Sequence, residues 1–296
     1  MTSMIEKRLI ALVLLFPCAA SLAANERLLE RRRSEYNEIL VTETDRGLRV
    51  LRFEPDGARQ TVVKPGDPEH LELPYARVIP LGLALADDPQ RVLVVGLGGG
   101  TIPSLFRKHL PELWIDAVEI DPEVVHVAKR YFGFREDAAM RAYVQDGRRF
   151  IEQRRNLYDV IFLDAFGTDS IPHSLTTREF LQSVRRALKP GGLVVGNVWN
   201  RSSNWLYDSM IVTYQDVFDS VYVVDIQDAG NKLVIGLTTQ RRLDRQQVRL
   251  LAARFSKRLG LRYELGALVD YGFRLPGEDG IGGRVLKDSD REVRQP

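Results

Sequence analysis

The sequence predicts an α/β fold, in which a mostly parallel sheet with an antiparallel last strand follows a small N-terminal β-hairpin domain. The parallel sheet is predicted because strand and helix patterns alternate from residue 91 to residue 226. The antiparallel last strand is predicted because the strands at 220–226 and 232–238 are joined only by residues 227–231, too few for a crossover helix. The hairpin domain is predicted from alternating polar and apolar residues, broken by turn formers, before residue 64.

The composition is that of a globular protein. Of 296 residues, 44% are hydrophobic and 28% are charged, which excludes long disordered or collagen-like segments. The formal net charge is only +2, which gives no strong positive field for nucleic acid. No apolar stretch reaches the roughly 20 residues that a stable membrane span needs.

Six segments are expected along the chain. They are a signal peptide (1–24), a linker (25–35), the hairpin domain with a connecting helix (36–88), the sheet domain (89–240), a C-terminal helix and cap (241–275) and a flexible tail (276–296). The linker is rich in Arg, and the tail is rich in Gly, Pro and charged residues. Neither is therefore expected to pack against a core.

The first 24 residues have the order of an export signal. Lys7 and Arg8 precede an apolar run at 9–16, and small residues follow at 21–24. The expected location is periplasmic or otherwise exported, and it is cytoplasmic if the start site is misassigned; a membrane tether is the other alternative. Cys18 is the one cysteine, so a cleaved chain would have no disulfide, thiolate metal site or Cys nucleophile.

Period and turn signals predict the individual elements. Alternating segments at 38–42 and 48–53 predict antiparallel hairpins, and a helix is expected at 71–85, beginning near Pro74. Strands of the sheet domain are predicted at 91–95, 114–120, 142–145, 158–164, 192–198, 220–226 and 232–238. Helices are predicted at 101–109, 122–132, 147–154, 176–188, 204–218 and 244–259.

A glycine-rich loop follows the first strand of the sheet domain. Gly96, Gly98, Gly99 and Gly100 lie between that strand and a helix that begins at Thr101. Glycine lets the backbone approach a ligand closely, and the helix N-terminus offers N–H groups to its polar atoms. The loop alone is a weak signal, since Thr101 stands where a dinucleotide fingerprint has its third glycine.

Three carboxylates end successive strands of the predicted sheet. Glu119 ends the second strand, Asp146-Gly147 the third and Asp164 the fourth. Each alone is equally well explained as a helix cap or turn former. Because ligands of open α/β sheets bind at the carboxyl edge, the glycine loop and the three carboxylates together predict a site for an adenosyl ligand.

These residues resemble the spermidine synthase (polyamine aminopropyltransferase) family, and a divergent bacterial branch of it. The resemblance covers residues 36–239 and rests on the hairpins, Tyr75, residues 96–101, residues 118–121, Asp146-Gly147 and Asp164. It implies a class I methyltransferase-like (Rossmann-like) sheet with an antiparallel last strand behind an N-terminal β domain. It also implies a homodimer or homotetramer.

The resemblance further implies a reaction and its residues. An aminopropyl group would move from decarboxylated S-adenosylmethionine, a co-substrate rather than a tightly bound cofactor, to putrescine or a related polyamine. Glu119 would hold the ribose, Asp146 the adenine amino group, and Asp164 would be the general base. The implied nucleoside contacts are Gln60, Gly96, Gly98, Gly99, Gly100, Glu119, Asp146 and Gly147. The implied acceptor contacts are Tyr75, Asp164 and Asp169, with both aspartates in the catalysis.

The sequence departs from the family pattern around the acceptor amine. Gly99 stands where the family has an Asp, and Arg77 where it has a Glu. Gly167 stands at the family's second Asp position, which Asp169 could replace, and residues 225–231 replace a Tyr-containing segment. Arg77 in the pocket would repel a cationic diamine, unless it turns outward or pairs with Asp169.

Three functions are compatible with these features. The first is the aminopropyltransferase. The second is a methyltransferase that uses ordinary S-adenosylmethionine, whose carboxylate an acid at position 99 would no longer repel. The third is a non-catalytic exported ligand-binding homologue, since an export signal conflicts with an intracellular donor. No metal is expected, because the histidines lack ligand spacing: His70, His109, His126 and His173.

Overall fold

The computed structural model describes residues 26–166, 171–277 and 279–290, and within these ranges the strands form two sheets. The strands are β1 (Glu26–Arg33), β2 (Glu38–Thr44), β3 (Arg49–Arg52), β4 (Arg59–Val63), β5 (Arg91–Val95), β6 (Trp114–Glu119), β7 (Met140–Val144), β8 (Tyr158–Leu163), β9 (Leu188–Trp199), β10 (Ser220–Asp225), β11 (Asn231–Leu237) and β12 (Phe273–Arg274). The helices are α1 (Pro74–Val78), α2 (Leu81–Leu85), α3 (Thr101–His109), α4 (Pro122–Tyr131), α5 (Gly147–Glu152), α6 (Arg178–Ala187), α7 (Tyr207–Val217), α8 (Arg245–Leu259) and α9 (Leu265–Gly272).

The larger sheet confirms the predicted α/β architecture. Its order is β12-β10-β11-β9-β8-β5-β6-β7, and the five strands from β9 to β7 run parallel. Strand β11 lies antiparallel between β9 and β10, and β10 and β11 form the predicted hairpin. The central strands β5 and β8 are nearly continuous runs of buried apolar residues because helices cover both faces of the sheet, whereas the edge strand β7 is largely accessible.

The smaller sheet is antiparallel in the order β1-β2-β3-β4, as the hairpin pattern predicts; β2 and β3 match the predicted segments at 38–42 and 48–53, and β1 and β4 add a strand on either side. The prediction of a linker at 25–35 is wrong, because Glu26–Arg33 forms edge strand β1. Its charges are paired across the sheet: Arg27 lies 2.9 Å from Glu43, and Glu26 lies 2.7 Å from Arg52. Charged side chains are typical of an exposed edge strand.

A separate apolar cluster joins the smaller sheet to the larger one. Ile39 and Val41 of β2 pack with Val124 and Val127 of α4, and all four side chains are fully buried. Next to the cluster, Asp121 caps α4 and also accepts a hydrogen bond from Ser34 Oγ at 2.5 Å. The turn between β1 and β2 is thereby held at the carboxyl edge of the larger sheet.

Two further predictions differ from the structure. The helix expected at 71–85 divides into α1 and α2, because Pro80 has no backbone N–H to continue the helical ladder. The flexible tail is wrong for the described residues after 279, where Leu286 is 1% exposed and its N–H donates to Thr213 Oγ1 at 3.0 Å. The packing of Leu286 was not predicted because the composition of the surrounding segment is largely charged. The expected signal peptide lies outside the described residues, among which no helix has the length and hydropathy of a membrane span.

Candidate active site

A cavity of about 320 Å³ lies at the carboxyl edge of the larger sheet, below the smaller sheet. The ends of β5, β6 and β8 form its floor, and β4 and the β1–β2 turn cover it. Glu119, Asp146 and Asp164 all line this cavity. The structure therefore brings the three predicted carboxylates together, as expected for the edge at which α/β sheets bind ligands.

Gly96 allows the loop after β5 to pass beside the end of β8. Its φ is +89°, and a Cβ at this position would lie 2.3 Å from the carbonyl oxygen of Asp164. Only glycine meets both conditions without moving the backbone. The close approach places Gly96 and Gly98 in the wall of the cavity.

Gly99 and Gly100 were expected to contact the ligand, but neither lines the cavity. The Gly99 N–H donates to Thr61 Oγ1 of β4 at 2.8 Å, and a Cβ on Gly99 would lie 2.5 Å from Thr61 Cγ2. A Cβ on Gly100 would lie 2.7 Å from the ring of Phe134. These two glycines therefore let the loop pack against its neighbours, and position 99 has no room for the acidic side chain of the family pattern.

Glu119 is held by the backbone around it. Its Oε2 accepts the Leu97 N–H at 3.0 Å, and its Oε1 accepts the Asp121 N–H at 3.1 Å. Burial raises the pKa of Glu119, and the backbone hydrogen bonds partly oppose that effect. A carboxylate has about four lone-pair directions, so each oxygen can still accept one hydrogen bond from a ligand in the cavity.

Asp146 has a structural role as well as a place in the cavity. It caps α5, with Oδ1 accepting the Arg149 N–H at 2.8 Å. Gly147 follows it on the wall, where a Cβ would lie 2.7 Å from Val95 Cγ1. The helix-cap interpretation of this aspartate is therefore correct, and its Oδ2 remains available to the cavity.

Asp164 follows β8 and has hydrogen bonds on both oxygens. Tyr75 donates its hydroxyl proton to Oδ2 at 3.0 Å, and Asn197 Nδ2 donates to Oδ1 at 2.8 Å. Burial raises the pKa of Asp164 to about 6, and the two hydrogen bonds work in the opposite direction. A carboxylate with this pKa is ionised at neutral pH and can still accept a proton, which suits a general base.

Sequence reasoning missed two sets of residues. Asn197 is 2% exposed in the middle of β9, and a polar residue within the apolar run Leu193–Trp199 was the available signal. Tyr36 and Asn37 line the cavity from the β1–β2 turn, next to the predicted Gln60. No local pattern marks them, because their position depends on how the smaller sheet packs.

A second, more open cavity of about 560 Å³ adjoins the first. The two share Gln60, Tyr75 and Phe166 in their walls, and Asn197 also lines the second. Phe166 and Trp199 form an edge-to-face pair at 6.0 Å between ring centroids. Three carboxylates from two turns reach the rim, together with Arg59: Glu54, Asp56 and Asp228. Asp164 thus lies next to the passage between a nucleoside-sized cavity and a largely acidic, aromatic one.

Arg77 does not face either cavity. Its side chain is exposed, and its Nε donates to the carbonyl of Leu71 at 2.8 Å. The outward alternative for this residue is therefore correct, and its charge does not oppose a cation near Tyr75. The predicted Asp169, and Gly167 beside it, lie in residues 167–170, outside the described ranges.

Comparison with known proteins agrees with this geometry. Residues 74–229 match the family model of the spermine/spermidine synthase domain. This chain belongs to that family. The polyamine aminopropyltransferase of Vibrio vulnificus (strain CMCP6) is 34% identical over 258 residues, which cover 82% of this chain and 85% of the relative.

Two further similarities indicate how widely the scaffold is shared. The crystal structure of a probable spermidine synthase from Corynebacterium glutamicum superposes with a TM-score of 0.69 at 21% identity, over 90% of this chain and 99% of that one. The human eEF1A lysine and N-terminal methyltransferase is 32% identical over 202 residues, but these cover 61% of this chain and only 29% of that protein. The fold alone therefore does not separate aminopropyl transfer from methyl transfer.

Proposed function

We propose that this protein is an aminopropyltransferase that moves an aminopropyl group from decarboxylated S-adenosylmethionine to putrescine or a related polyamine, with Asp164 as the general base. The observation that carries the proposal is the place of Asp164. It lies where the two cavities meet, with a hydrogen bond from Tyr75 on one oxygen and from Asn197 on the other. The family supplies the reaction class, and the two adjoining cavities supply room for a donor and an acceptor.

The first cavity suits the nucleoside of the donor. Glu119 has a free acceptor direction on each oxygen, which matches the two adjacent hydroxyls of a ribose. Asp146 Oδ2 would bind the adenine amino group, Gln60 would contact the nucleoside from the smaller sheet, and Gly96 and Gly98 allow close approach of the backbone. The roles of these residues follow the family pattern and agree with their positions on the cavity wall.

The reaction needs orientation and one proton transfer. The acceptor ammonium gives a proton to Asp164, and the neutral amine attacks the aminopropyl carbon next to the sulfonium. The new C–N bond forms as the C–S bond breaks, and the electron pair of that bond stays on sulfur in methylthioadenosine. Because the sulfonium is already an activated leaving group, most of the acceleration comes from holding amine and carbon in line.

The second cavity suits a cationic acceptor. Its rim carries more carboxylates than basic groups, and Phe166 and Trp199 offer aromatic faces to an ammonium group. The acceptor amine would approach Asp164 from this side, opposite the donor. Arg77 lies outside the path.

A methyltransferase is the second candidate, and one specific observation favours it. Position 99 is a glycine where the family pattern has an acid, and Thr61 occupies the space that an acidic side chain there would need. Such a site would not repel the carboxylate of ordinary S-adenosylmethionine.

Calorimetry with the two donors separates the candidates. An aminopropyltransferase should bind decarboxylated S-adenosylmethionine at least about tenfold more tightly, or about 1.4 kcal/mol. The reverse preference would identify a methyltransferase, and no binding of either donor would identify a non-catalytic homologue. Methylthioadenosine release with putrescine present would then establish the transfer directly.

We also propose that residues 1–24 direct export of the chain. The proposal rests on the basic head, the apolar run and the small residues of that segment. N-terminal sequencing of the natural protein from separate periplasmic and cytoplasmic fractions tests it. A mature chain that begins near Asn25 in the periplasm is expected, and a cytoplasmic chain that begins at Met1 would refute export.

A further inference from the structure

Asn197 is the centre of a short chain of side-chain amides behind the proposed base. It lies in β9, is 2% exposed, and has both of its polar atoms paired with other side chains. Its Nδ2 donates to Asp164 Oδ1 at 2.8 Å, and its Oδ1 accepts from Asn231 Nδ2 at 3.1 Å. A buried amide that lost either partner would pay a desolvation penalty of about 1–3 kcal/mol, so the amide has a strong preference for one orientation.

The direction of the donors along this chain matters for Asp164. Asn231 donates a hydrogen bond to the side-chain oxygen of Asn197. The NH2 group of Asn197 therefore faces the carboxylate. With the opposite orientation, the oxygen of Asn197 would face Asp164 Oδ1. Two acceptors in contact are tolerated only if the carboxyl carries its proton, so the reversed amide favours neutral Asp164.

We infer that Asn231 is a positioning residue, which fixes the orientation of Asn197 and thereby keeps Asp164 in the ionised form that accepts a proton. The inference rests on the proposed role of Asp164 as general base. Asn231 begins β11, opposite Trp199 of β9, and lines the second cavity, but it has no hydrogen bond to Asp164 itself. Its effect on the pKa of Asp164 therefore passes through Asn197, whereas a direct effect on the acceptor would appear in KM without a shift of that pKa.

No other described group around Asp164 replaces the hydrogen bond that Asn197 donates to its Oδ1. Tyr75 of α1 donates to the other oxygen, and Glu119 of β6 lines the same cavity without a hydrogen bond to Asp164. The charge nearest to Asn231 in sequence, Lys232, pairs with Asp225 at 2.6 Å. Among the described residues, Asn197 and Tyr75 are thus the two side chains that donate to the base.

Asn231→Asp tests the inference, because an ionised carboxylate at 231 would attract the NH2 group of Asn197 and reverse the amide. Gln227→Asp is the matched control: it adds the same charge to the β10–β11 turn, where the exposed Gln227 has no side-chain hydrogen bond in the described part of the chain. Asn231→Leu removes the hydrogen-bond donor without adding charge. It replaces Asn231→Asp in the test if circular dichroism shows that Asn231→Asp does not fold.

The first readout is the carboxyl pKa of Asp164 in the free protein, by 13C NMR, with the signal assigned from Asp164→Asn. Asn231→Asp should raise this pKa by about one unit, Asn231→Leu by about half a unit, and Gln227→Asp by clearly less than either. Because no substrate is present, this measurement holds whether or not the proposed reaction is correct.

The second readout is the pH dependence of aminopropyl transfer. The acidic limb of kcat/KM should move up with the NMR pKa, so that Asn231→Asp loses about tenfold in rate below the limb and little at high pH. An unmoved pKa would overturn the inference, as would an equal loss of rate at every pH or a higher acceptor KM without a shift of the limb. Absent transfer with a shifted pKa would instead refute the proposed function alone.

Discussion

The two cavities that meet at Asp164 are built differently. In the first cavity, Glu119 ends β6 and Asp146 follows β7 by two residues, and both carboxylates accept hydrogen bonds from backbone N–H groups. In the second cavity, Glu54, Asp56 and Asp228 stand on turns, and no side-chain hydrogen bond or ion pair fixes them in the described part of the chain. The difference teaches that the regular scaffold determines the shape of the first cavity, whereas the rim of the second depends on turns, where sequences vary most among homologues.

The largest effect is expected at the junction of the two cavities. Asp164→Asn removes the proton acceptor but keeps the size of the side chain, so turnover should fall ~100-fold or more. Donor affinity, measured by calorimetry, should stay within about twofold because the ribose contacts are intact. Equal turnover in wild type and variant would remove Asp164 from the mechanism.

The second largest effect is expected in the first cavity, where backbone N–H groups hold the carboxylates in place. Glu119→Ala should weaken donor binding more than tenfold, because both ribose hydroxyls lose an acceptor and two backbone N–H groups lose their partner, each worth about 1–3 kcal/mol. Titration calorimetry with decarboxylated S-adenosylmethionine measures it. Unchanged affinity would show that the ribose lies elsewhere.

Burial of Asp164 should also appear in stability. Burial raises its pKa in the folded protein from the ordinary 3.8 to about 6, so the stabilisation from its neutral form is present below pH 3.8 and is lost as pH rises through 6. Asp164→Asn removes this loss. The stability of the variant relative to wild type should therefore rise between pH 4.5 and pH 8, by at most about 3 kcal/mol. Urea unfolding at both pH values measures the difference, and a pH-independent difference would contradict the raised pKa.

The smallest effect is expected at the loop-built rim. The double variant Glu54→Gln, Asp56→Asn should raise the acceptor KM by about two- to fivefold, because each exposed carboxylate contributes at most about 0.5–1 kcal/mol. Donor affinity should not change. Arg77→Ala is the control, since that side chain faces away from the cavity and its removal should leave the acceptor KM unchanged. If Arg77→Ala changed the acceptor KM more than the double variant does, the acceptor would bind on the side of Arg77 and not at the rim of the second cavity.

The same contrast explains what the sequence could predict. The alternating pattern identified the α/β fold, and the glycine loop and strand-end carboxylates marked one edge, because strand direction and residue position determine where these groups lie. The cavity at this edge was therefore predictable down to Glu119 and Asp164, whereas its ligand stays a prediction. The contacts of Gly99 and Gly100 were not predictable. Whether Gly99 faces Thr61 or the cavity depends on how the smaller sheet packs against the loop.

Features that depend on distant pairing were missed. Strand β1 looked like a solvated linker because its charged residues find their partners on other strands: Arg27 pairs with Glu43 of β2, and Glu26 pairs with Arg52 of β3. Leu286 anchors a segment whose composition suggested mobility. The role of Asn197 depends on the position of β9 between β8 and β11, because only there does its amide reach both Asp164 and Asn231.

The hydrogen bond from the Gly99 N–H to Thr61 Oγ1 has a consequence for how a donor enters. It ties the glycine-rich loop to β4 of the smaller sheet, so the loop moves away from β4 only when this hydrogen bond breaks. Hydrogen exchange at the Gly99 amide therefore reports how often the loop and β4 separate. A ligand bound in the first cavity should slow that exchange more than it slows exchange in α8 or α9, which contribute no residue to the wall of the cavity.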